Sequence, residues 1–274
     1  MQYDPIKHRF SSFIQDSTTL KILFYKVLGI FFLREWYIKR TIRTEFGKQK
    51  PEFILDAGCG FGQYTYFMSS HSPQSKIDAV DLNPEHIKRM TVFSKKRNMP
   101  VTCSIEDLTQ YNKPNHYDFI LCVDVMEHIE NDRSVLNNYF LSLKSGGKLL
   151  ISTPSDQGGS DSHHHDHDHD DDGAHGFVDE HARDGYGIAD MTEKLTTAGF
   201  TVEKIKYTYG TAGNLSWRLA IKYPILMLNT SPFFTVILPF YYTLTILPIL
   251  ILHQLDTMIE WEKGTGLMVL ASKK

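Results

Sequence analysis

Residues Phe119–Val123, Phe-Ile-Leu-Cys-Val, form an unbroken apolar run between Asp118 and Asp124. A half-exposed strand alternates apolar and polar residues, so an unbroken short run suits a strand covered on both faces, as in a parallel sheet. The flanking sequence agrees. From Glu52 onward strand-like and helix-like segments alternate: strands at Phe53–Asp56, Lys76–Asp81, Val101–Ser104 and Asp118–Val123, then Lys148–Thr153. The intervening segments Gln63–Ser69, Asn83 to about Arg97, and Asp132–Leu143 read as helices, the last stopped by Gly146-Gly147. Beyond Pro154 a helix is expected at Ile188–Ala198, closed by Gly199, and further strands at Phe200–Tyr207 and Leu267–Ser272. Repeated strand–helix units imply an α/β fold with a mostly parallel sheet and right-handed crossovers.

The turn after the first strand carries the chemistry. Leu55-Asp56-Ala57-Gly58-Cys59-Gly60-Phe61-Gly62 joins a strand end to a helix start. Its glycines allow a tight bend and close approach of backbone to a ligand, and the helix offers free N–H groups. Nicotinamide enzymes use a related turn, so the glycines alone do not choose a cofactor. Asp56 does discriminate: an acid there repels a pyrophosphate but pairs with the ammonium of an amino-acid-bearing cofactor. Asp81, at the end of the second strand, stands where a ribose hydroxyl pair would be held.

The segments Leu55–Gly62, Ala79-Val-Asp-Leu-Asn-Pro84, Asp118–Ile129 and Leu143–Pro154, in that order and spacing, resemble the motifs of class I S-adenosylmethionine (SAM) dependent methyltransferases. The similarity covers roughly Phe53–Tyr207 plus the last strand. It implies a Rossmann-like seven-stranded sheet with helices on both faces. It also implies that Asp56, Gly58 and Gly60 line the methionine end of SAM and Asp81 its ribose. Cys59, Leu82, Ser104, Ile105 and Asp124 complete the candidate cofactor set. One position departs from the pattern. Relatives often place an acid just after the third strand, and here Ser104 aligns, with Glu106 and Asp107 displaced, so backbone groups or Asp107 are the alternatives for reading adenine.

The acceptor end is less explicit. Asp124, Glu127 and His128 follow the fourth strand, where the carboxyl ends of strands form a ligand crevice. His128 suits a general base because an imidazole titrates near neutrality. Bracing of the local helix start by Glu127 and His128 is the plainer alternative, and methyl transfer often needs only in-line positioning. Gly176–Tyr186 resembles the Glu-His-x-Arg-x-Gly-Tyr stretch of a bacterial subset of the family. That implies acceptor contacts from Glu180, Arg183 and Tyr186, with His181 as a further catalytic candidate, unless Arg183 only pairs with nearby acids. The His163–Asp172 run holds only His and Asp. It reads as a solvated loop able to bind transition metals adventitiously, and no defined metal site is expected from it.

Two segments bear on the partner. Leu20–Arg43 reads as one amphipathic helix with basic residues beside an apolar face, either a membrane-surface helix or a core cap. Tyr223–Leu255 contains no Lys, Arg, Asp or Glu. Phe233–Leu252 is long enough to span a bilayer core of roughly 30 Å, but a single crossing would separate the sixth and seventh strands, which pair in this fold. Pro224, Pro232, Pro239 and Pro248 are expected to break the stretch into short pieces. An interfacial hairpin or a buried cap or dimer face remains.

The domain plan is then an N-terminal helical extension over 1–50, the SAM-binding domain over 51–208 with a His/Asp-rich loop at 155–175, a hydrophobic helical insert over 209–263, and the last strand over 264–274. Met1–Ser17 shows no secretory pattern, and Cys59, Cys103 and Cys122 form neither a zinc spacing nor a disulfide framework. A net charge of -3 argues against nucleic acid as a partner. The expectation is a cytoplasmic SAM-dependent methyltransferase, held peripherally at the inner membrane face and acting on a hydrophobic acceptor, by O-methylation first and C-methylation second. A non-catalytic, metal-responsive SAM-binding protein and a soluble enzyme that dimerises through the insert are the rivals.

Overall fold

The computed structural model describes residues 17–158 and 182–274. The His/Asp run, with Glu180 and His181, lies outside the described residues. Seven strands form one sheet: β1 (Phe53–Ala57), β2 (Lys76–Asp81), β3 (Val101–Ile105), β4 (Tyr117–Val123), β5 (Leu143–Pro154), β6 (Thr201–Thr208) and β7 (Gly266–Ser272), ordered β3-β2-β1-β4-β5-β7-β6. The pairings among β1 to β5 are parallel, and β7 runs antiparallel between β5 and β6. The apolar run of β4 occupies the middle: Phe119, Ile120, Leu121 and Cys122 are each at most 1% exposed. Alternate residues feed opposite layers. Ile120 and Cys122 join one core with Val135, Leu136 and Tyr139, whereas Phe119 and Leu121 join the other with Ile38, Ile54 and Met68.

The flanking helices are α3 (Gln63–His71), α4 (Pro84–Lys96), α5 (Asp132–Ser142) and α6 (Ile188–Thr197). Asn83 caps α4 by accepting from the Glu85 N–H, and Asn131 caps α5 by accepting from the Ser134 N–H. Gly199, at φ +100, ends the turn after α6. Gly146-Gly147 does not stop α5, contrary to the sequence expectation. The helix ends at Ser142, Leu143 is already extended, and both glycines lie inside β5, where the Gly146 N–H donates to the Lys273 carbonyl.

The N-terminal segment also differs from expectation. It is two helices, α1 (Thr18–Phe31) and α2 (Leu33–Glu45), because Phe32 adopts extended backbone (φ -100, ψ 109). The bend lets each helix use its own face. α2 buries Leu33, Tyr37, Ile38 and Ile42 on the sheet, while α1 packs Tyr25 beside Met90 and Phe93 of α4.

The uncharged stretch forms most of a helical hairpin between β6 and β7, which begins before it and ends just after it. Its first arm is α7 (Thr211–Trp217), a π-helical turn (Arg218–Lys222) and α8 (Tyr223–Thr230); its second is α9 (Phe234–Met258). The prolines do not break α9, as the sequence expectation had it. Pro239 and Pro248 sit inside 25 helical residues with their rings on the exposed face, where a missing N–H and a bulky ring cost least. Thr208 pairs with Gly266, which pairs with Pro154, so both arms join the sheet at the carboxyl end of β5.

Candidate functional site

A cavity of about 840 Å³ opens at the carboxyl ends of β1, β2 and β4, within the range of ligand pockets, roughly 300–1,000 Å³. Of the residues singled out from sequence, it gathers Gly58, Cys59, Gly60, Asp81, Leu82, Asp124 and His128 on its walls.

The glycine turn is held by backbone. The Gly58 and Cys59 N–H groups donate to the Val80 carbonyl at 2.8 and 2.9 Å, and the Gly60 N–H donates to Asp81 Oδ2 at 2.8 Å. Gly58 has φ +79, and a Cβ there would sit 2.2 Å from Val125 Cγ2, so the residue is required by packing. Gly60 has φ +50, but a Cβ there meets nothing within 4 Å. The space a side chain would fill at Gly60 is therefore cavity, open for a ligand to lie against the backbone.

The carboxylates divide by role. Asp81 accepts from the Gly60 and Asn83 N–H groups and lies 3.4 Å from His86 Nδ1. Burial works against its charge, yet the His86 contact and these backbone donors hold its carboxyl below the usual range. It presents an ionised acceptor to the cavity. Asp56 lies under the turn rather than on the cavity wall. It is 3% exposed and accepts from Thr65 Oγ1. Burial pushes its carboxyl up to about 7, against the lowering effect of the Thr65 bond. A cation arriving above the turn would stabilise its ionised form.

Asp124 follows β4 in left-handed backbone (φ +53) and forms an ion pair with Arg34 of α2. The Arg34 N–H donates to the Tyr209 hydroxyl at 3.0 Å, which ties α2, the hairpin base and the crevice together. His128 closes a 3₁₀ turn (Met126–His128) and faces the same cavity. Its neighbour Glu127 is 1% exposed and accepts from Thr153 Oγ1 at 3.0 Å, so it braces the turn.

The structure moves several residues away from the site. Ser104 and Ile105 do not line the cavity. The chain reaches the cavity wall only after β3, with Glu106, Asp107 and Leu108. Arg183 and Tyr186, expected to touch an acceptor, lie off the cavity wall and are engaged elsewhere. Arg183 pairs with Asp132 and donates to the Ile129 and Glu130 carbonyls, while Tyr186 is fully buried and donates to the Met126 carbonyl and Asp132 Oδ2. Their work is to fasten the segment after β5 to the loop after β4.

Sequence reasoning missed one wall. Phe24 and Leu28 of α1, with Phe32 and Arg34, also line the cavity, and α1 packs on the glycine turn itself, where the Tyr25 hydroxyl donates to the Phe61 carbonyl and the Phe24 and Phe61 rings lie 6.4 Å apart. The signal was the apolar spacing in 20–43, but nothing in that pattern says that its bend at Phe32 delivers one face to the crevice.

Residues 55–149 match a family model described as a methyltransferase domain. A ubiquinone biosynthesis O-methyltransferase of Rickettsia typhi is 26% identical over 121 residues, 44% of this chain and 48% of that protein. A malonyl-[acyl-carrier protein] O-methyltransferase of Ilyobacter polytropus is 31% identical over 108 residues, 39% of this chain and 40% of that protein. The similarity thus spans less than half the length of these curated relatives. Haemonchus contortus phosphoethanolamine N-methyltransferase 2, solved in complex with SAM, superposes with a TM-score of 0.58 at 18% identity, covering 94% of this chain and 58% of that one. Residues 55–149 thus carry a match to a methyltransferase domain, on a sheet whose order gives the fold of the SAM-dependent methyltransferase it superposes on.

Proposed function

We propose that this protein transfers a methyl group from SAM to a hydrophobic small molecule or lipid-like acceptor, at oxygen in the first instance and at carbon as the second choice. The observation that carries this reading is the cavity. Its lining combines polar Gly60, Asp81 and Asp124 with apolar Phe24 and Leu28 of α1 and Phe32 at the bend after it. SAM, when bound, would supply an electrophilic methyl on its sulfonium to the acceptor oxygen, with the thioether as leaving group. Asp81 orients the ribose hydroxyls. The Asp56 carboxyl favours the amino-acid end from beneath the turn. Phe24, Leu28 and Phe32 exclude water from the acceptor side and match an apolar partner. His128 takes the proton released by an acceptor hydroxyl, leaving a neutral ether and an imidazolium that gives its proton to solvent.

The protein works at a membrane surface, on the cytoplasmic side, where such an acceptor is concentrated. The outward apolar residues of α9 support this: Phe240, Leu244 and Leu247 are 71%, 78% and 64% exposed, more than a water-facing helix usually leaves open. The test is mass spectrometry of quinols and phenols with long apolar side chains, incubated with SAM and the purified protein. A one-methyl mass increment, absent when Asp81→Ala replaces the natural chain, supports the reading. Loss of SAM without any methylated product refutes it.

A further inference from the structure

We propose that α1 and the α7–α9 hairpin dock as one surface onto an anionic phospholipid bilayer, entering a single leaflet without crossing it. The proposal rests on the membrane-surface reading above and names the partner and the binding face. Three observations carry it.

The first is polar self-sufficiency. The π-turn at Arg218–Lys222 displaces the usual helical ladder, and the hydroxyls of Tyr241 and Tyr242 on α9 donate to the Leu219 and Ala220 carbonyls at 2.8 and 2.9 Å. Thr230, Thr243 and Thr245 turn their hydroxyls back onto the Leu226, Pro239 and Tyr241 carbonyls. Such back-bonding also occurs on the sheet-flanking helices, at Ser70 and Thr196, but on the hairpin it leaves these hydroxyls paired, as burial in hydrocarbon requires.

The second is where the apolar exposure lies. Only 6% of the most apolar stretch of α9 is buried. Its outward residues Val236, Phe240, Leu244, Leu247, Ile251, Leu255 and Met258 recur every three or four positions along 25 residues, a length of about 37 Å. Ile225 and Leu226 extend the surface onto α8 and Phe233 onto the turn, and α1 adds Leu23, Val27 and Ile30. Phe31 of α1 packs on Tyr242 with ring centroids 4.7 Å apart, which joins the two parts. A partner helix would cover one stripe; exposure on three helices and the turn suits a fluid.

The third is charge. In α1 (18–31) and the hairpin (211–258) the single acid is Asp256, fully buried, and the cations are Lys26, Arg218 and Lys222 with the buried Lys21, in a chain of net charge -3. Lys26 and Arg218 are exposed. Exposed cations without exposed acids beside an apolar face match anionic headgroups. Both hairpin arms return to the same end of the sheet through the Thr208–Gly266 pairing, so the hairpin leaves and re-enters on one side. The cavity wall formed by Phe24 and Leu28 belongs to the same α1, which places the acceptor side of the cavity against the lipid.

The experiment is vesicle flotation of the full chain, with phosphatidylcholine alone and with phosphatidylcholine plus phosphatidylglycerol. The unaltered protein is expected to float with the anionic vesicles at least tenfold more than with neutral ones, and to be released by added salt. A Leu244→Glu/Leu247→Glu variant, altered only at exposed positions, is expected to lose at least tenfold of the bound fraction with unchanged SAM affinity. Equal flotation of the variant, equal flotation on neutral vesicles, or no flotation of the unaltered protein overturns the proposal. So does a stable dimer in vesicle-free light scattering that the variant converts to monomer. SAM binding and turnover of a water-soluble acceptor report on the methyl-transfer reading separately, so the failure of one is distinguishable from the failure of the other.

Discussion

Gly58 and Gly60 sit two residues apart in the same turn, yet the structure assigns them different tasks, and alanine at each position separates fold from ligand. Both have positive φ, +79 and +50, so either alanine carries backbone strain of roughly 1–2 kcal/mol. At Gly58 the added Cβ also lands 2.2 Å from Val125 Cγ2, and relieving such overpacking costs about 1–3 kcal/mol more. Gly58→Ala should therefore lose about 2–5 kcal/mol in all, a fall of roughly 4–20 °C in Tm for a chain of this size. Gly60→Ala meets no atom within 4 Å, so strain alone remains, roughly 2–8 °C. Its methyl nevertheless occupies space against which the cofactor lies, and SAM affinity should weaken at least about tenfold, ~1.4 kcal/mol. Differential scanning fluorimetry reads the first quantity and calorimetric titration of SAM the second. A Gly60→Ala protein that binds SAM as tightly as the natural chain would refute the idea that the turn is a cradle. A Gly58→Ala protein of unchanged Tm would refute the packing argument.

Other expectations concern charge and proton transfer. His128→Gln should lower turnover of a hydroxyl acceptor by about 10²–10⁴-fold while SAM affinity stays within twofold; unchanged turnover would reduce His128 to a positioning role. Asp132 accepts from Arg183, Tyr186 and Lys194 at 3% exposure, so Asp132→Ala should destabilise the fold by about 2–4 kcal/mol, the buried-pair cost discounted for the partly exposed Arg183. Burial opposes its charge, but Lys194, Tyr186 and Arg183 hold its carboxyl below the usual 3.8. A lowered folded-state value means that stability is present above pH 3.8 and is lost as pH falls through the folded value. The natural chain should show that acid-side loss in a denaturant midpoint series, and Asp132→Ala should show less of it.

The sheet was legible because its signals are local and redundant. The apolar run of β4 can hardly be anything but a doubly covered strand, and the glycine turn with Asp56 and Asp81 sits at strand ends where a crevice must form. What stayed hidden depends on tertiary context. Nothing near Gly146-Gly147 shows that the chain is already extended there, since the bond from Gly146 to Lys273 comes from the far end of the sequence. Prolines 239 and 248 read as breakers because their tolerance depends on which side of α9 they face. Arg183 and Tyr186 look like acceptor contacts by resemblance, and only the position of Asp132 shows them bracing the loop instead. The cavity wall from α1 was invisible for a similar reason: Phe32 has an ordinary side chain, and its extended backbone follows from α1 and α2 packing on different surfaces.

The most direct test of the account uses SAM labelled on its methyl group, the purified full chain, and total membranes of the source cell, with Asp56→Ala as the control. The account predicts label in the organic-solvent extract with the natural chain and none above background with the variant. Label confined to the aqueous phase, or present equally with both proteins, would contradict it.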